Sequence, residues 1–456
     1  MRPELVTLIA AIVKIAIILG FVMTMAAVLV WMERRQSAMI QDRIGPHRAD
    51  IKIGNKRFTL IGLLHPIADA MKSFFKEDFI PPKADKLLHS LAPILSMAAP
   101  IMLMGVVPFM DTLCLQSVRQ NLWAEVPRFG TCAAASTATT LPPISGQIVD
   151  INVGILYIFG LAGMGIVGAT IAGWSSDNKF SLLGGLRAAS QLVSYEVAMG
   201  LSIVGCMMVY GTLRLDEMAR WQGENTWGIF VQPFGFLLFL TAAIAETKRT
   251  PFDLPEGESE IVAGYLVEYS GMKFAMFYTG EYIELVVSST LVVALYLGGF
   301  HVPFLHRDGI TLAMGDAMLW HKGLPHLVVI ALQVLIFFGK VTFICWAQIF
   351  IRWTVPRFRY DQLMKLGWRM LLPASLVNIF LTGIALIAFD RSGLATQDTF
   401  RTLGDGFNWL VLIASVVFVL WIAFGMVTPS KFLSRREEQL ARRSLPAKAK
   451  AEAPAH

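Results

Sequence analysis

An all-α, polytopic integral membrane protein with about nine transmembrane helices is the fold class this sequence predicts, and three observations predict it. Hydrophobic residues make up 55% of the 456 positions and charged residues only 16%, a balance too apolar for a soluble domain. Sparsely charged windows of about 18 residues or more recur along the whole chain. Lys and Arg also divide unequally between alternate loops, as the positive-inside rule requires of a membrane protein.

Taken in order, the expected spans are Val6–Met32, Leu87–Met110, Ile151–Trp174, Ala188–Leu213, Trp227–Ala245, Ile283–Leu305, Leu324–Ile351, Met370–Phe389 and Phe407–Thr428. Glu196 and Glu284 interrupt the fourth and sixth. The first run exceeds the h-region of a signal peptide and ends in WMERRQ, without a small-residue cleavage site, so it is expected to stay. Loops on one side carry 28 Lys and Arg, and those on the other carry 9. The N-terminus is therefore expected outside and the C-terminus inside, with Glu33–Lys86, Thr247–Tyr282 and Arg352–Arg369 together on the inner face.

The loop after the first span holds ERRQSAMIQDRIGPHR and then HPIADAMKSFFKED. In the second string Ile67, Met71, Phe74 and Phe75 recur at helical spacing, which predicts an amphipathic helix lying at the interface. The loop Arg352–Arg369 has five cations among aromatic residues; Lys365 and Arg369 read as anchors at the membrane surface. The middle loop is the anomaly. Seven acids between Glu246 and Glu281 face three bases, against the trend of its side, and the string ETKRTPFDLPEGESE packs most of them beside hydrocarbon. Ionisable groups at membrane depth persist when paired, hydrated or functional, so the working chemistry belongs here.

Within DLPEGESE, Pro255 suits a helix start, and Glu256 and Glu260 at i and i+4 share a face that Glu258 does not. Like charges this close raise one another's proton affinity and titrate together. Each glutamate has a plainer reading as a solvated charge paired with Lys248, Arg249 or Lys273. Lys340, midway along its span, is open between a counter-ion for a glutamate and a proton relay, whereas Lys14 can snorkel outward.

Four cysteines form no CxxC pair and no cluster-binding run, so neither an iron–sulfur cluster nor structural zinc is expected. Cys114 and Cys132 share the loop Asp111–Asp150, where a disulfide and two separate thiols are both open readings. All eight histidines lie in loops, at span ends or in the tail, which argues against axial haem ligation. GMGIVG, Gly163 to Gly168, matches a dinucleotide fingerprint but sits inside an apolar run with no strand before it, so it reads as close helix packing.

The strings ERRQSAMIQDRIGP, HPIADAMKSFFKED, SYEVAMG, AETKRTPFDLPEGESEIVAGYLVEYSGMKF and PRFRYDQLMKLGW, collinear from about residue 1 to 389, resemble the H subunit of respiratory complex I, the proton-pumping NADH:quinone oxidoreductase. Its mitochondrial counterpart is NADH dehydrogenase subunit 1. The resemblance implies a membrane-arm subunit that forms part of the quinone chamber and couples quinone reduction to proton translocation, with no redox centre of its own. Quinone would be the substrate; NADH, flavin and iron–sulfur clusters would belong to partner subunits. By motif, Arg34, Arg43, Asp69, Arg352, Arg357 and Arg359 fall to the chamber, and Glu196, Glu246, Asp253, Glu256, Glu258, Glu260 and Glu268 to the acidic loop and its proton path, with Lys340 a further candidate. Expected partners are the hydrophilic quinone-site subunits, small membrane subunits, antiporter-like subunits and lipid, in a bacterial inner membrane.

Three departures from the family pattern stand out: the enlarged loop Asp111–Asp150, an extra helix over 390–429, and the basic tail 430–456, too polar to bury a core. Glu284, just after GEY, matches no assigned position. The rival readings are the related membrane subunit of an energy-converting hydrogenase, which lacks quinone, and a stand-alone secondary transporter, for which no internal repeat is evident.

Overall fold

The computed structural model describes residues 3–46, 49, 51–53, 56–58, 60–114, 143–255, 257, 262–314, 317–391, 399–400, 402–410, 413 and 417. The chain opens on α1, Pro3–Ile40, which is 38 residues long and apolar almost all round. Its large side chains, among them Leu8, Ile12 and Val13, are mostly exposed, as expected of a surface that meets lipid rather than water. A short antiparallel pair, β1 (Ile51–Ile53) and β2 (Lys56–Phe58), precedes α2, His65–Phe75. The amphipathic character expected of α2 is seen in Ile67, Met71, Phe74 and Phe75, all exposed along the helix.

Asp85 caps α3 (Lys86–Leu103), its carboxylate accepting from the backbone N–H groups of Leu87 and Leu88 at 3.0 and 3.2 Å. Next come α4 (Gly154–Ser175) and α5 (Lys179–Tyr210), the latter capped by Asn178 and stopped at Gly211, whose φ of 68° suits glycine. Gly168 of α4 lies where a Cβ would press on Ala92 and Ser96 of α3, so this glycine of GMGIVG serves a close helix contact, whereas Gly165 has open space around it. Then follow α6 (Leu215–Glu224), α7 (Gly228–Val231), α8 (Pro233–Glu246) and α9 (Gly271–Tyr296).

A three-stranded antiparallel sheet, β3 (Leu305–His306), β4 (Gly309–Met314) and β5 (Ala317–Gly323), leads into α10, His326–Thr354. The short α11 (Tyr360–Lys365) continues through a π-helical turn, Leu366–Leu371, into α12, Leu372–Arg391. The principal buried cluster joins α1, α3, α5, α8, α9 and α10; a smaller one seats Tyr265, Leu266 and Tyr269 against alanines of α3, α4 and α5.

Among the described residues six helices are long and apolar enough to cross a membrane. The expected Trp227–Ala245 span is interrupted at Gln232, which separates α7 from α8 and hydrogen-bonds Thr382 and Asn378 of α12. Proline at the first position of α8 leaves no backbone N–H to satisfy at this break. The expected Ile283–Leu305 span overlaps a helix that runs instead from Gly271 to Tyr296, with Glu281, expected just ahead of the span, inside it beside Glu284. Ala188–Leu213 belongs to a helix that starts at Lys179. Most of Phe407–Thr428, the tail, and the greater part of Asp111–Asp150 lie outside the described residues. Cys114 is disulfide-bonded, and Cys132 is outside the described residues.

Candidate functional site

The acidic segment leaves α8 under tight restraint. Buried Gln191 of α5 donates to the carbonyls of Ala245 and Phe252, both at 2.8 Å, and so clamps the stretch between them. Phe252 packs edge-on against Tyr195 and stacks on Phe358, while the Phe358 N–H donates to the Pro251 carbonyl at 3.1 Å. These contacts tie the segment to the chain between α10 and α11. Lys248 is held at a φ of 54°, a left-handed conformation that costs a non-glycine residue about 1–3 kcal/mol and survives only where its surroundings enforce it.

A buried ion network lies beneath this segment. Arg352 of α10 donates to Glu33 Oε1 of α1 at 2.6 Å. The other Glu33 oxygen accepts from the Tyr282 hydroxyl at 2.6 Å and lies 3.5 Å from Arg249. Arg249 also approaches Glu281 at 3.0 Å and stacks its guanidinium 4.1 Å from the Tyr282 ring centroid. Tyr265 donates to the far oxygen of Glu281 at 3.2 Å. Two acids and two arginines thus join α1, α9, α10 and the acidic segment. At an effective dielectric of about 20, opposite charges roughly 3 Å apart attract by about 5 kcal/mol, comparable with the several kcal/mol each charge loses on leaving water. The network therefore fixes where charge sits more than it adds net stability.

Of the residues expected around a quinone, Arg34 and Asp69 meet in an ion pair of 2.6 Å that joins α1 to α2 and is half-exposed. Arg352 belongs to the buried network, and Arg357 bonds Asp253. Arg43, just past the end of α1, donates to Gln41 at 2.6 Å and to buried Ser37 at 3.2 Å. Arg359 is exposed, its backbone N–H donating to Gln362 at the start of α11. Among the expected proton-path acids, Asp253 is buried, and burial pushes its carboxyl up from the usual range while the Arg357 guanidinium opposes the rise. Glu246 ends α8 and Glu196 lies midway along α5, close to Gly163 of α4. Glu268 accepts from Asn178 Nδ2 at 2.7 Å. Glu256, Glu258 and Glu260 lie outside the described residues.

Lys340 and Lys14 both turn to backbone. The Lys340 ammonium donates to the carbonyls of Leu297, Gly299 and His301 at 2.7, 3.1 and 2.6 Å and sits 4.4 Å from the Trp227 ring centroid. It thus satisfies carbonyls beyond the C-terminal end of α9, where a cation is favoured; its observed partners are carbonyls and a ring rather than a glutamate. Lys14 donates to the carbonyls of Ser145 and Gln147 at 3.3 and 2.6 Å, at the end of the loop Asp111–Asp150.

Sequence reasoning did not single out Glu33, Arg249, Glu281 or Tyr282 as a unit. Glu33 follows an apolar run and so reads as the start of a loop, while Glu281 falls just before the expected sixth span. A usable signal was present in GEYIEL, where two acids three residues apart flank Tyr282 next to a strongly apolar stretch.

Comparison with known proteins matches residues 13–383 to the family described as NADH dehydrogenase. A Flavobacterium johnsoniae protein, named as the H subunit of NADH-quinone oxidoreductase, is 39% identical over 378 residues, covering 83% of this chain and 95% of the relative. Its namesake from Flavobacterium psychrophilum is 40% identical over 377 residues, covering 83% and 97%. A Geobacter metallireducens protein, named as the second H subunit of NADH-quinone oxidoreductase in that organism, is 39% identical over 377 residues, covering 82% and 95%.

Proposed function

We propose, since the chain belongs to the NADH dehydrogenase family, that it serves as the H subunit of a bacterial NADH-quinone oxidoreductase, lining part of the quinone chamber and coupling quinone reduction to proton translocation. The observation that carries the reading is the buried Arg352–Glu33–Arg249–Glu281 network, which connects the acidic segment to α1, α9 and α10. Electrons would arrive through clusters and flavin in partner subunits. This chain supplies the walls and the titratable groups.

Reducing a quinone to a quinol consumes two electrons and two protons. Charge appearing at the headgroup perturbs carboxylates nearby through Coulomb energy that a poorly hydrated site does not screen. Arg34 with Asp69, and Arg357, stand on the chamber side as charges that orient and respond, and Asp253, bonded to Arg357, opens the proton path. Glu246, Glu196, Glu268 and the triad Glu256, Glu258 and Glu260 continue the path along which protons are moved or their charge is sensed. The protein would lie in the inner membrane with its N-terminus outside, its acidic segment and basic tail inside, and hydrophilic and antiporter-like subunits on either side.

The test is purification of the native complex through a tag on the C-terminal tail. Inhibitor-sensitive NADH:quinone reductase activity, with flavin and iron–sulfur subunits present, is the expected result; recovery with a nickel–iron hydrogenase, or of the chain alone, would overturn it. Within the complex, combined Glu256→Gln and Glu260→Gln should reduce protons pumped per quinone while assembly is kept. Arg34→Ala or Asp69→Ala should instead lower quinone turnover itself, on the order of tenfold for one lost charge-assisted contact. Wild-type rates in both assays would remove these positions from the mechanism.

A further inference from the structure

Beside the network is a second charged group that the proposed function leaves unused. Lys248, two residues beyond Glu246, approaches Glu284 of α9 with Nζ 3.6 Å from Oε2, and its side chain is only 2% exposed. Lys248, Glu284 and Glu246 line one cavity, walled also by Ser96 of α3, Gly165 of α4 and Ser288 of α9. A water-sized sphere has about 30 Å³ of room there, enough for one or two waters that can bridge groups too distant to bond directly.

The charges facing this cavity come from every side. Glu196 of α5 acts on Glu246, as do Glu284 and Lys248. Glu281 and Arg249, members of the buried network, act on Glu284. Two carboxyls, those of Glu246 and Glu284, therefore share one small cavity with a single buried ammonium, and Glu196 stands outside its lining. Uncompensated charge in such a place is costly, so an ammonium that balances one carboxylate leaves the other to hold a proton. Lysine suits that task, since its point charge rides on a flexible four-carbon stem, whereas its backbone here is pinned.

We infer that Lys248 and Glu284 form a charge-exchange node for Glu246, in which the ammonium neutralises Glu284 or Glu246 in turn. When it turns from Glu284 to Glu246, Glu246 gives up its proton to cavity water and Glu284 takes one from it. One proton crosses the cavity and the total charge is unchanged. The inference rests on the proton-coupling reading above and assigns Lys248 as a positioning residue, with Glu246 and Glu284 as the groups between which the proton moves.

The experiment uses the complete complex carrying Glu284→Gln, Lys248→Met or Glu284→Asp, with NADH:quinone reduction and proton uptake into proteoliposomes measured across a range of pH. Glu284→Gln removes the proton acceptor and leaves Lys248 to Glu246 alone, so it should lower the protons pumped per quinone reduced and move the remaining pH profile downward by about one pH unit, the effect of one neighbouring charge in a poorly hydrated site. Lys248→Met should move it upward by a similar amount, and Glu284→Asp should keep the wild-type profile. Opposite shifts are a signature that simple loss of packing does not produce. Profiles that are unchanged, or that shift in the same direction, overturn the inference. If Glu284→Gln does not assemble, the Lys248→Met profile decides alone, and an unshifted one overturns it. Wild-type complex without inhibitor-sensitive quinone reduction would instead overturn the functional reading beneath it.

Discussion

Asp253 and Arg357 show how one pair of side chains sets a pH response. Burial raises the Asp253 carboxyl above its ordinary range and the guanidinium pulls it back. A group raised in the folded state binds its proton more tightly there than in the unfolded chain. Its contribution to stability is therefore fully present below the unfolded value and is lost as pH rises through the folded one. In Arg357→Gln the opposition is gone, so the carboxyl should rise further and the acid limb of quinone turnover should move to higher pH. A pH–rate series on the variant complex measures this, and an unmoved limb would free Asp253 from the reaction. Both residues were legible in the sequence as members of two separate loops; their pairing was not. It depends on Phe252 stacking against Phe358, a contact between residues more than a hundred positions apart that no local pattern encodes.

At the scale of elements, hydropathy located helices well where no acid interrupts the apolar run, as in α3, α4 and α10, and poorly where acids lie within it. α9 is the clearest case: Glu281 and Glu284 suggest a boundary to a window that counts charges, yet Arg249, Tyr265 and Lys248 satisfy them inside the protein. The break at Gln232 was passed over by hydropathy for the opposite reason, since the residues around it are apolar; Pro233 was its trace in the sequence, and the partners on α12 hold it. Small residues mark another boundary. A Cβ on Gly184 of α5 would meet the backbone of Gly264 and Tyr265 at 2.5 to 2.6 Å, so this glycine lets the acidic segment's far end sit directly on the helix. Gly184→Val should cost about 1–3 kcal/mol through overpacking and lower the thermal stability of the complex in a melting series. An unchanged melting temperature would show that the far end of the segment can move aside at no cost.

For the whole molecule, composition was enough to identify a polytopic membrane protein, and charge asymmetry was enough to propose its orientation. The second can be tested directly. In intact cells with the native cysteines masked, a membrane-impermeant thiol reagent should label Lys322→Cys, on β5, and should not label Ser434→Cys in the tail until the membrane is opened. Labelling of both, or of the tail alone, would reverse the proposed topology. What the sequence could not supply is the way distant segments share charges, since Glu33 and Arg352 stand 319 positions apart and yet bond at 2.6 Å.

The length of α1 carries a last consequence. Its 38 residues, at about 1.5 Å each, make a rod of roughly 57 Å, against a hydrocarbon layer of about 30 Å. A rod that long crosses obliquely or projects well past the lipid, and Glu33 and Arg34 ride near its C-terminal end. Bilayer thickness would then become a mechanical input: a layer that tilts the rod would load the bonds by which Glu33 ties it to α9 and α10. Lipid chain length would tune turnover with no residue changed.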